Sequence, residues 1–158
     1  MEDITVTDQD YNLWVLLGQV SHTIGKLRQK ELKQYGITGR NAIVLKVILA
    51  IGDNAIPVEI SRWLLRERHT ISALLRRMEK DGLVRLSKDL GRSNLLRVTL
   101  TEKGRTAYYE SQKLQSIHKM MSYLSEEQRQ QLGSCLHILL DAALKELGVK
   151  HKVLFPPL

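Results

Sequence analysis

The segment Arg68–Lys80, with the sequence RHTISALLRRMEK, separates polar from apolar residues at the spacing of an α-helix. At 100° per residue, its four large apolar side chains point to one side: Ile71, Leu74, Leu75 and Met78. The opposite face combines a guanidinium, an imidazole and a hydroxyl with one small residue. Arg can form bidentate hydrogen bonds to guanine, and Ser and His can reach base edges in a major groove. We therefore predict four base-reading residues: His69, Ser72, Ala73 and Arg76.

Further polar side chains flank this face, and their chemistry suits contacts with phosphate oxygens. Such contacts fix a protein on a duplex without reading its sequence. We predict this positioning role for Arg62, Arg68, Thr70 and Arg77. Two more cations, Lys88 and Arg92, lie on a predicted hairpin, and a tip Arg can enter a narrow minor groove. Taken alone, the helix also fits a solvated charged face, and the hairpin fits a charged strand edge.

Positive charge is concentrated around these residues. Residues 60–105 hold 12 Lys/Arg and 5 Asp/Glu, which gives a net charge of +7. The whole chain also carries +7, so the other residues sum to zero. A positive field confined to one stretch is typical of binding to the phosphate backbone of a nucleic acid.

Local signals predict the elements that position this stretch. Thr38 is a good N-cap for a second helix, which ends at residues 52–54. Pro57 suits the first position of a short third helix, and a turn at Arg66-Glu67 leads into the fourth. Gly82 is the left-handed stop after it. Strands over 83–87 and 95–100, joined by a loop over 88–94, complete a winged helix-turn-helix pattern.

The ends of the chain are predicted to be helical. A first helix covers residues 10 to about 35, a fifth runs from Thr101 to about Ser122, and a sixth begins at a Ser125/Gln128 capping box and ends near Gly148. The first nine residues are polar and loose, and residues 151–158 form an extended tail. The first and last helices carry apolar stripes without an evident partner in the chain. Cys135 lies on the last stripe and is predicted to be buried there, as a core or interface residue rather than a redox sensor.

Composition limits the class of protein. The length predicts one domain with a real core, mainly α with a small β-hairpin. No apolar run is long enough for a membrane span, the N-terminus is unlike a signal peptide, and one cysteine excludes an intrachain disulfide framework. These features favour the cytoplasm. Catalytic, zinc and phosphate-loop motifs are missing, so we expect neither an enzyme nor a bound cofactor or metal.

Three stretches carry a family resemblance: YGITGRNAIVLKVI, EISRWLLRERHTISALLRRMEKDGLV and LLRVTLTEKG. In this order they resemble the MarR family of bacterial winged-helix transcriptional regulators. The resemblance extends over about residues 11–147. It differs at the wing, where many members carry Asp-x-Arg, because two residues separate Asp89 from Arg92 here. The resemblance assigns the wing-tip role to Arg92.

The resemblance implies an obligate homodimer, in which the first, fifth and sixth helices of two chains interlock. It divides the single intertwined domain into a dimerisation arm (1–36), a winged helix-turn-helix lobe (37–104) and C-terminal dimerisation helices with a tail (105–158). Two recognition helices would then enter successive major grooves of a palindrome. Family members often bind small aromatic acids between the lobe and the dimer helices. The candidate residues for such a pocket are Tyr11, Trp14, Trp63 and Tyr108; taken one at a time, plain core packing is the favoured interpretation of each.

The expected function is therefore a sequence-specific transcriptional regulator that binds double-stranded DNA as a homodimer. A repressor that blocks a promoter, with a small aromatic effector, is the favoured form. Two other classes stay open: a non-specific or architectural DNA-binding protein, and a winged-helix protein-interaction module. The second would place apolar residues on the outer face of the fourth helix.

Overall fold

Helix α2 (Gly39–Ile51) lies at the centre of the fold because it is apolar on almost every side. The computed structural model describes residues 8–89 and 91–149, without the side chains of Asp89 and residues 92–94. Thr38 caps α2 as predicted, since its Oγ1 accepts a hydrogen bond from the Asn41 N–H at 3.1 Å. Five apolar side chains of α2 are buried: Ala42, Val44, Leu45, Val47 and Ile48. A 3₁₀ turn, Gly52–Asn54, ends the helix where the sequence predicts.

Helices α3 (Pro57–Leu64) and α4 (Arg68–Lys80) form the helix-turn-helix with the predicted bounds. Pro57 occupies the first turn of α3, where its missing N–H has no partner to lose. The turn reverses at Leu65, whose φ of 51° is left-handed, and the Arg66 N–H donates to the Ser61 carbonyl. Helix α4 buries Ile71, Leu75 and Met78, and α3 packs against it. The opposite face of α4 therefore remains available.

Strands β1 (Val84–Asp89) and β2 (Arg92–Leu100) pair antiparallel and form the wing. Val84 is opposite Leu100 and Lys88 is opposite Leu96, after which the register shifts and pairs Asp89 with Arg92. The predicted loop over residues 88–94 is therefore wrong. Strand pairing continues almost to the tip, so that polar residues expected in a loop lie in an irregular end of the ladder.

Helix α5 (Glu102–Ser111) begins where predicted, because Thr101 Oγ1 accepts from the Gly104 N–H at 3.0 Å. The prediction of one helix from Thr101 to about Ser122 is wrong. The chain breaks at Leu114, which has a left-handed φ of 50°, and a separate helix α6 (Gln115–Met121) follows. Helix α5 packs on α2 and β2, whereas α6 packs on α1 (Gln9–Leu32).

Helix α7 (Glu126–Glu146) begins at the predicted capping box of Ser125 and Gln128. Within residues 8–89 and 91–149, no other helix or strand packs along it, and Gly133 is its one buried residue. Its apolar stripe is therefore exposed, as is Cys135, so the prediction of a core position for Cys135 is wrong and that of an interface position stays a prediction. The stripe consists of Leu132, Cys135, Leu136, Leu139, Leu140, Ala143 and Leu147.

The N-terminal part of α1 is exposed in the same way. Asp8 caps this helix by accepting from the N–H groups of Asp10 and Tyr11. Its side chains at 13, 14, 16, 17 and 20 are apolar and exposed, and a 3₁₀ turn, Lys33–Tyr35, connects it to the centre of the fold. In the described residues no single helix can span a membrane by length and hydropathy; the α1 and α2 segments meet that test only as a pair bent by 75°. The predicted loose leader and extended tail lie outside the described residues, apart from residues 8 and 9, which cap and begin α1.

Candidate nucleic-acid interface

The outer face of α4 brings the predicted base-reading residues together. His69, Ala73 and Arg76 are exposed, and Ser72 is half-buried at the margin of the face. This placement follows from the inward packing of Ile71, Leu75 and Met78, which fixes the rotation of the helix. The result is a ridge with hydrogen-bond donors at its edges and a single methyl group at its centre.

The predicted positioning residues lie around this ridge. Arg68, Thr70 and Arg77 are exposed on α4. Arg62 belongs to α3, where its side chain is 71% exposed and contacts Glu59 at 3.6 Å in a loose ion pair. Glu59 also accepts from Trp63 Nε1 at 3.2 Å, so this carboxylate has two partners on α3. All four residues are therefore available at or beside the outer surface of the helix-turn-helix.

Positive charge on α4 is uncompensated within the described residues. Arg68, Arg76, Arg77 and Lys80 are all exposed, and none of them forms an ion pair with another described side chain. Exposed cations that form no ion pair stay available to attract an anion. This part of the surface is thus suited electrostatically to phosphate.

Glu79 connects α4 to the wing, a role that the sequence analysis does not identify. Its Oε1 atom accepts a hydrogen bond from the Leu86 N–H in β1 at 2.8 Å. At the end of α4, Gly82 has a φ of 75°, and the Leu83 N–H donates to the Met78 carbonyl at 2.8 Å. Helix and strand therefore hold a fixed mutual orientation.

Gly104 places the start of α5 directly against the chain that leaves α4. A Cβ atom at this position would lie 1.9 Å from the carbonyl oxygen of Leu83, so that only glycine allows this approach. Thr101 Oγ1 donates to the Gly82 carbonyl at 2.5 Å, and Lys103 Nζ donates to the Asp81 carbonyl at 2.7 Å. The α4 exit is thereby connected to the strand-to-helix junction.

The cations of the wing differ in their surroundings, since one is exposed and another is hydrogen-bonded to the turn after α2. Lys88 is exposed near the end of β1, whereas the side chain of Arg92, at the start of β2, lies outside the described residues. Arg97 has a structural contact instead: its Nη1 donates to Asn54 Oδ1 at 2.7 Å and to the Asp53 carbonyl at 3.1 Å. These bonds hold the base of the wing on the turn that follows α2.

The four aromatic residues of the candidate effector pocket occupy two regions. Tyr11 and Trp14 are exposed on α1, with ring centroids 5.7 Å apart. Trp63 and Tyr108 are partly buried and pack against the core. An open depression on α1 includes Trp14 alone of the four; it is lined by Trp14, Val15, Leu17, Gly18, Gln19, Ser21 and His22.

Among the described residues, no group of three or more His, Cys, Asp or Glu side chains is arranged to hold a metal ion. Two helices joined by a tight turn, followed by a two-stranded wing, define the winged helix-turn-helix class.

Solved structures of known proteins share this fold. No protein-family model and no curated protein matches the sequence. The organohalide-sensing transcriptional regulator RdhR, in its 2,4-dichlorophenol-bound form, is 27% identical, with a TM-score of 0.85 over 91% of this chain and 86% of its own. MepR of S. aureus in complex with DNA is 23% identical, with a TM-score of 0.74 over 86% of this chain and 99% of its own.

A cysteine-to-serine mutant of MarR from E. coli, in complex with operator DNA, is 20% identical, with a TM-score of 0.69 over 87% of this chain and 99% of its own. These comparisons agree with the resemblance drawn from the sequence motifs: the chain has the winged-helix fold of these solved MarR-type regulators. Its structural neighbours are transcriptional regulators rather than enzymes.

Proposed function

We propose that this protein is a DNA-binding transcriptional regulator that recognises a specific operator sequence. The observation that carries the proposal is the outer face of α4, which is rich in donors, positively charged and free of ion pairs to other described residues. A helix with these properties fits the major groove, which is wide enough for it. The MepR and MarR structures in complex with DNA support the proposal.

The residues of this face have distinct roles in the proposal. Arg76 pairs with a guanine, His69 and Ser72 contact neighbouring base edges, and Ala73 permits the close approach. Arg62, Arg68, Thr70 and Arg77 contact phosphates. Lys88 and Arg92 of the wing contact the backbone or a minor groove beside the site.

The protein acts as a homodimer in this proposal, because α1 and α7 expose more apolar surface than an isolated chain tolerates. Trp14 is 68% exposed, Leu139 is 57% exposed and Leu147 is 73% exposed. Contiguous apolar surface of this kind marks an association site. A two-fold dimer would place its two α4 helices about one DNA turn apart, roughly 34–36 Å, which fits a palindromic operator.

Control of transcription is expected to be repression, by occupation of a promoter. A small aromatic effector would release the operator by changing the separation of the two α4 helices. The ligand-bound RdhR structure supports an aromatic effector, since RdhR is described with 2,4-dichlorophenol. Tyr11, Trp14, Trp63 and Tyr108 are the aromatic residues that we assign to this effector site. Because Tyr11 and Trp14 lie apart from Trp63 and Tyr108 in one chain, this assignment requires the dimer to bring the two pairs together.

Fluorescence anisotropy tests the proposal with two labelled duplexes of equal length. One duplex is taken from immediately upstream of the gene that encodes this chain, and the other is its scrambled sequence. We expect a preference for the upstream duplex that persists at moderate salt. Equal binding that disappears as salt rises would instead favour a non-specific or architectural protein, because only the counterion term would remain. A lack of binding to both would favour operators elsewhere or the protein-interaction module, and selection from random duplexes distinguishes these two.

A further inference from the structure

A dimeric DNA-binding protein of the proposed kind must fix the position of its DNA-binding lobe relative to the dimerisation helices, here α1 and α7. Here we include α5 in the lobe, because α5 packs on α2 and β2, so that the lobe comprises α2 to α5 with the wing. The chain enters this lobe once and leaves it once. The entry follows α1 through the turn Lys33–Tyr35, and the exit is the break between α5 and α6. Any change in the position of the lobe must bend the molecule at these two crossings.

Both crossings meet at one carboxylate. Glu31, in the last turn of α1, accepts from the backbone N–H groups of Gln115 at 2.9 Å and Ser116 at 3.1 Å, and from the Ser116 hydroxyl. These N–H groups are the first two of α6, which lack partners inside their own helix. Glu31 therefore caps α6 from a distant segment of the chain, and the negative charge suits the positive end of the helix.

Arg28 completes the arrangement on the same face of α1. Its Nη1 lies 2.8 Å from Glu31 Oε2, and its Nη2 donates to the carbonyl of Ser111, the last residue of α5, at 2.5 Å. The side chains of Arg28 and Glu31 are only 13% and 7% exposed. One ion pair on α1 thus holds the end of α5 and the beginning of α6, on the two sides of Leu114.

We propose that the Arg28–Glu31 pair is the clamp that fixes the DNA-binding lobe against the dimerisation helices and thereby sets the spacing of the two α4 helices. Glu31 is a positioning residue in this account, because it acts on the lobe through the helix ends and does not contact DNA. The proposal rests on the proposed dimeric DNA-binding function. Its first test uses free protein, so that failure of the clamp and failure of that function are distinguishable.

The first test measures the distance between the lobe and α7 with two spin labels. The labels are attached in a Lys80→Cys, Asp141→Cys, Cys135→Ser protein, since position 80 ends α4 and position 141 is exposed on the polar face of α7. Labelled protein is diluted with excess unlabelled protein, so that pulsed spin–spin measurements report distances within one chain. No DNA is present.

Glu31→Gln removes the charge while it keeps the shape of the side chain. We expect its distance distribution to become about twofold broader or to shift, because glutamine keeps one acceptor oxygen but loses the second oxygen and the charge that pairs with Arg28 and caps α6. The matched control is Glu126→Gln, which removes the carboxylate of an exposed Arg–Glu pair with the same three-residue spacing on α7. An unchanged distribution in folded Glu31→Gln, or equal broadening in both variants, would overturn the proposal.

If Glu31→Gln does not fold, the same distance measurement is made on a milder variant. Ser116→Ala removes one of the hydrogen bonds to Glu31 and leaves both backbone N–H donors in place. A smaller broadening is expected, and no broadening at all would contradict the clamp.

The second test uses duplexes in which the two half-sites of the selected operator are moved closer together or apart by one or two base pairs. Wild-type protein is expected to lose about tenfold or more in affinity on the altered spacings, and Glu31→Gln about threefold or less. A purely structural role would lower the affinity for every spacing by the same factor and leave the wild-type profile intact. That result would overturn the proposal.

Discussion

The lobe of this chain buries its apolar residues, whereas the terminal helices leave theirs exposed. Helix α2 buries six of its residues among partners from the same chain, whereas Gly133 is the one buried residue of the longer α7. Apolar stripes of similar composition thus end in a core in one case and in exposed surface in the other. The comparison shows that the lobe forms its core within one chain, whereas α1 and α7 leave apolar surface exposed, as the proposed homodimer would need.

The largest effect is expected at the tightest contact of the lobe. Gly104→Ala would place a methyl group 1.9 Å from the Leu83 carbonyl, so that α5 must move away from the segment between α4 and β1. We expect a loss of about 2–4 kcal/mol in the free energy of unfolding, measured by chemical denaturation. Gly25→Ala is the control on α1, where no distant atom lies within 4 Å, and it should be neutral or slightly stabilising. Equal losses in the two variants would contradict the contrast between lobe and arm.

Acid should weaken the contact of Glu31 with α6, which joins the lobe to the terminal helices. Burial raises the pKa of Glu31, but hydrogen bonds from Ser116, Arg28 and the two backbone N–H groups outweigh it, so that the pKa falls from 4.5 to about 2. Because the pKa is lowered on folding, the contribution is complete above pH 4.5 and is lost as the pH falls toward 2. This contribution of Glu31 to the free energy of unfolding amounts to at most about 3 kcal/mol.

Denaturation curves between pH 2 and pH 6 measure this contribution. Glu31→Gln should flatten the acid limb of the stability profile, whereas Glu126→Gln should leave it near that of the wild type. An acid limb that Glu31→Gln does not alter would show that other carboxylates govern acid unfolding.

A charge on the stripe of α7 should separate association from folding. Leu139 is 57% exposed in the single chain, so that Leu139→Glu costs the lobe little and buries a carboxylate only if a dimer forms. We expect self-association about 10- to 100-fold weaker by analytical ultracentrifugation, with the unfolding of the lobe retained. Gln130→Glu on the polar face of α7 is the control. Unchanged association in Leu139→Glu would exclude this stripe as the interface.

The smallest effect is expected where α4 meets the wing. Glu79→Ala removes the acceptor of the Leu86 N–H and should cost about 0.5–1.5 kcal/mol. Glu79→Gln retains an acceptor oxygen and should be close to the wild type. Faster hydrogen exchange of the Leu86 amide in the alanine variant checks the assignment, and identical exchange in both variants would refute it.

Local signals were sufficient for most of the lobe. Thr38, Pro57, Gly82 and Thr101 mark helix ends through their own backbone chemistry, which a sequence displays directly. The outer face of α4 was predictable for the same reason, because helical periodicity fixes which side chains oppose a buried row. The roles of those residues in contact with DNA remain predictions.

The features that sequence reasoning missed depend on distant partners. The break at Leu114 lies in a stretch with good helical residues. The cap of the helix that follows it, α6, is Glu31, which belongs to α1. Glu79 and Gly104 act on backbone groups of a neighbouring segment, which periodicity does not reveal. The domain boundaries at residues 36 and 104 likewise remain predictions.

The central claim is that the outer face of α4 reads base pairs, and Arg76→Ala tests it most directly. Binding is measured for every single-base variant of the selected operator, with Lys145→Ala as a charge-matched control on α7. We predict that Arg76→Ala loses about 5- to 150-fold in affinity, or 1–3 kcal/mol, and its preference at one position of each half-site. Equal weakening for all operator variants, with preference retained at every position, would contradict base reading by this residue.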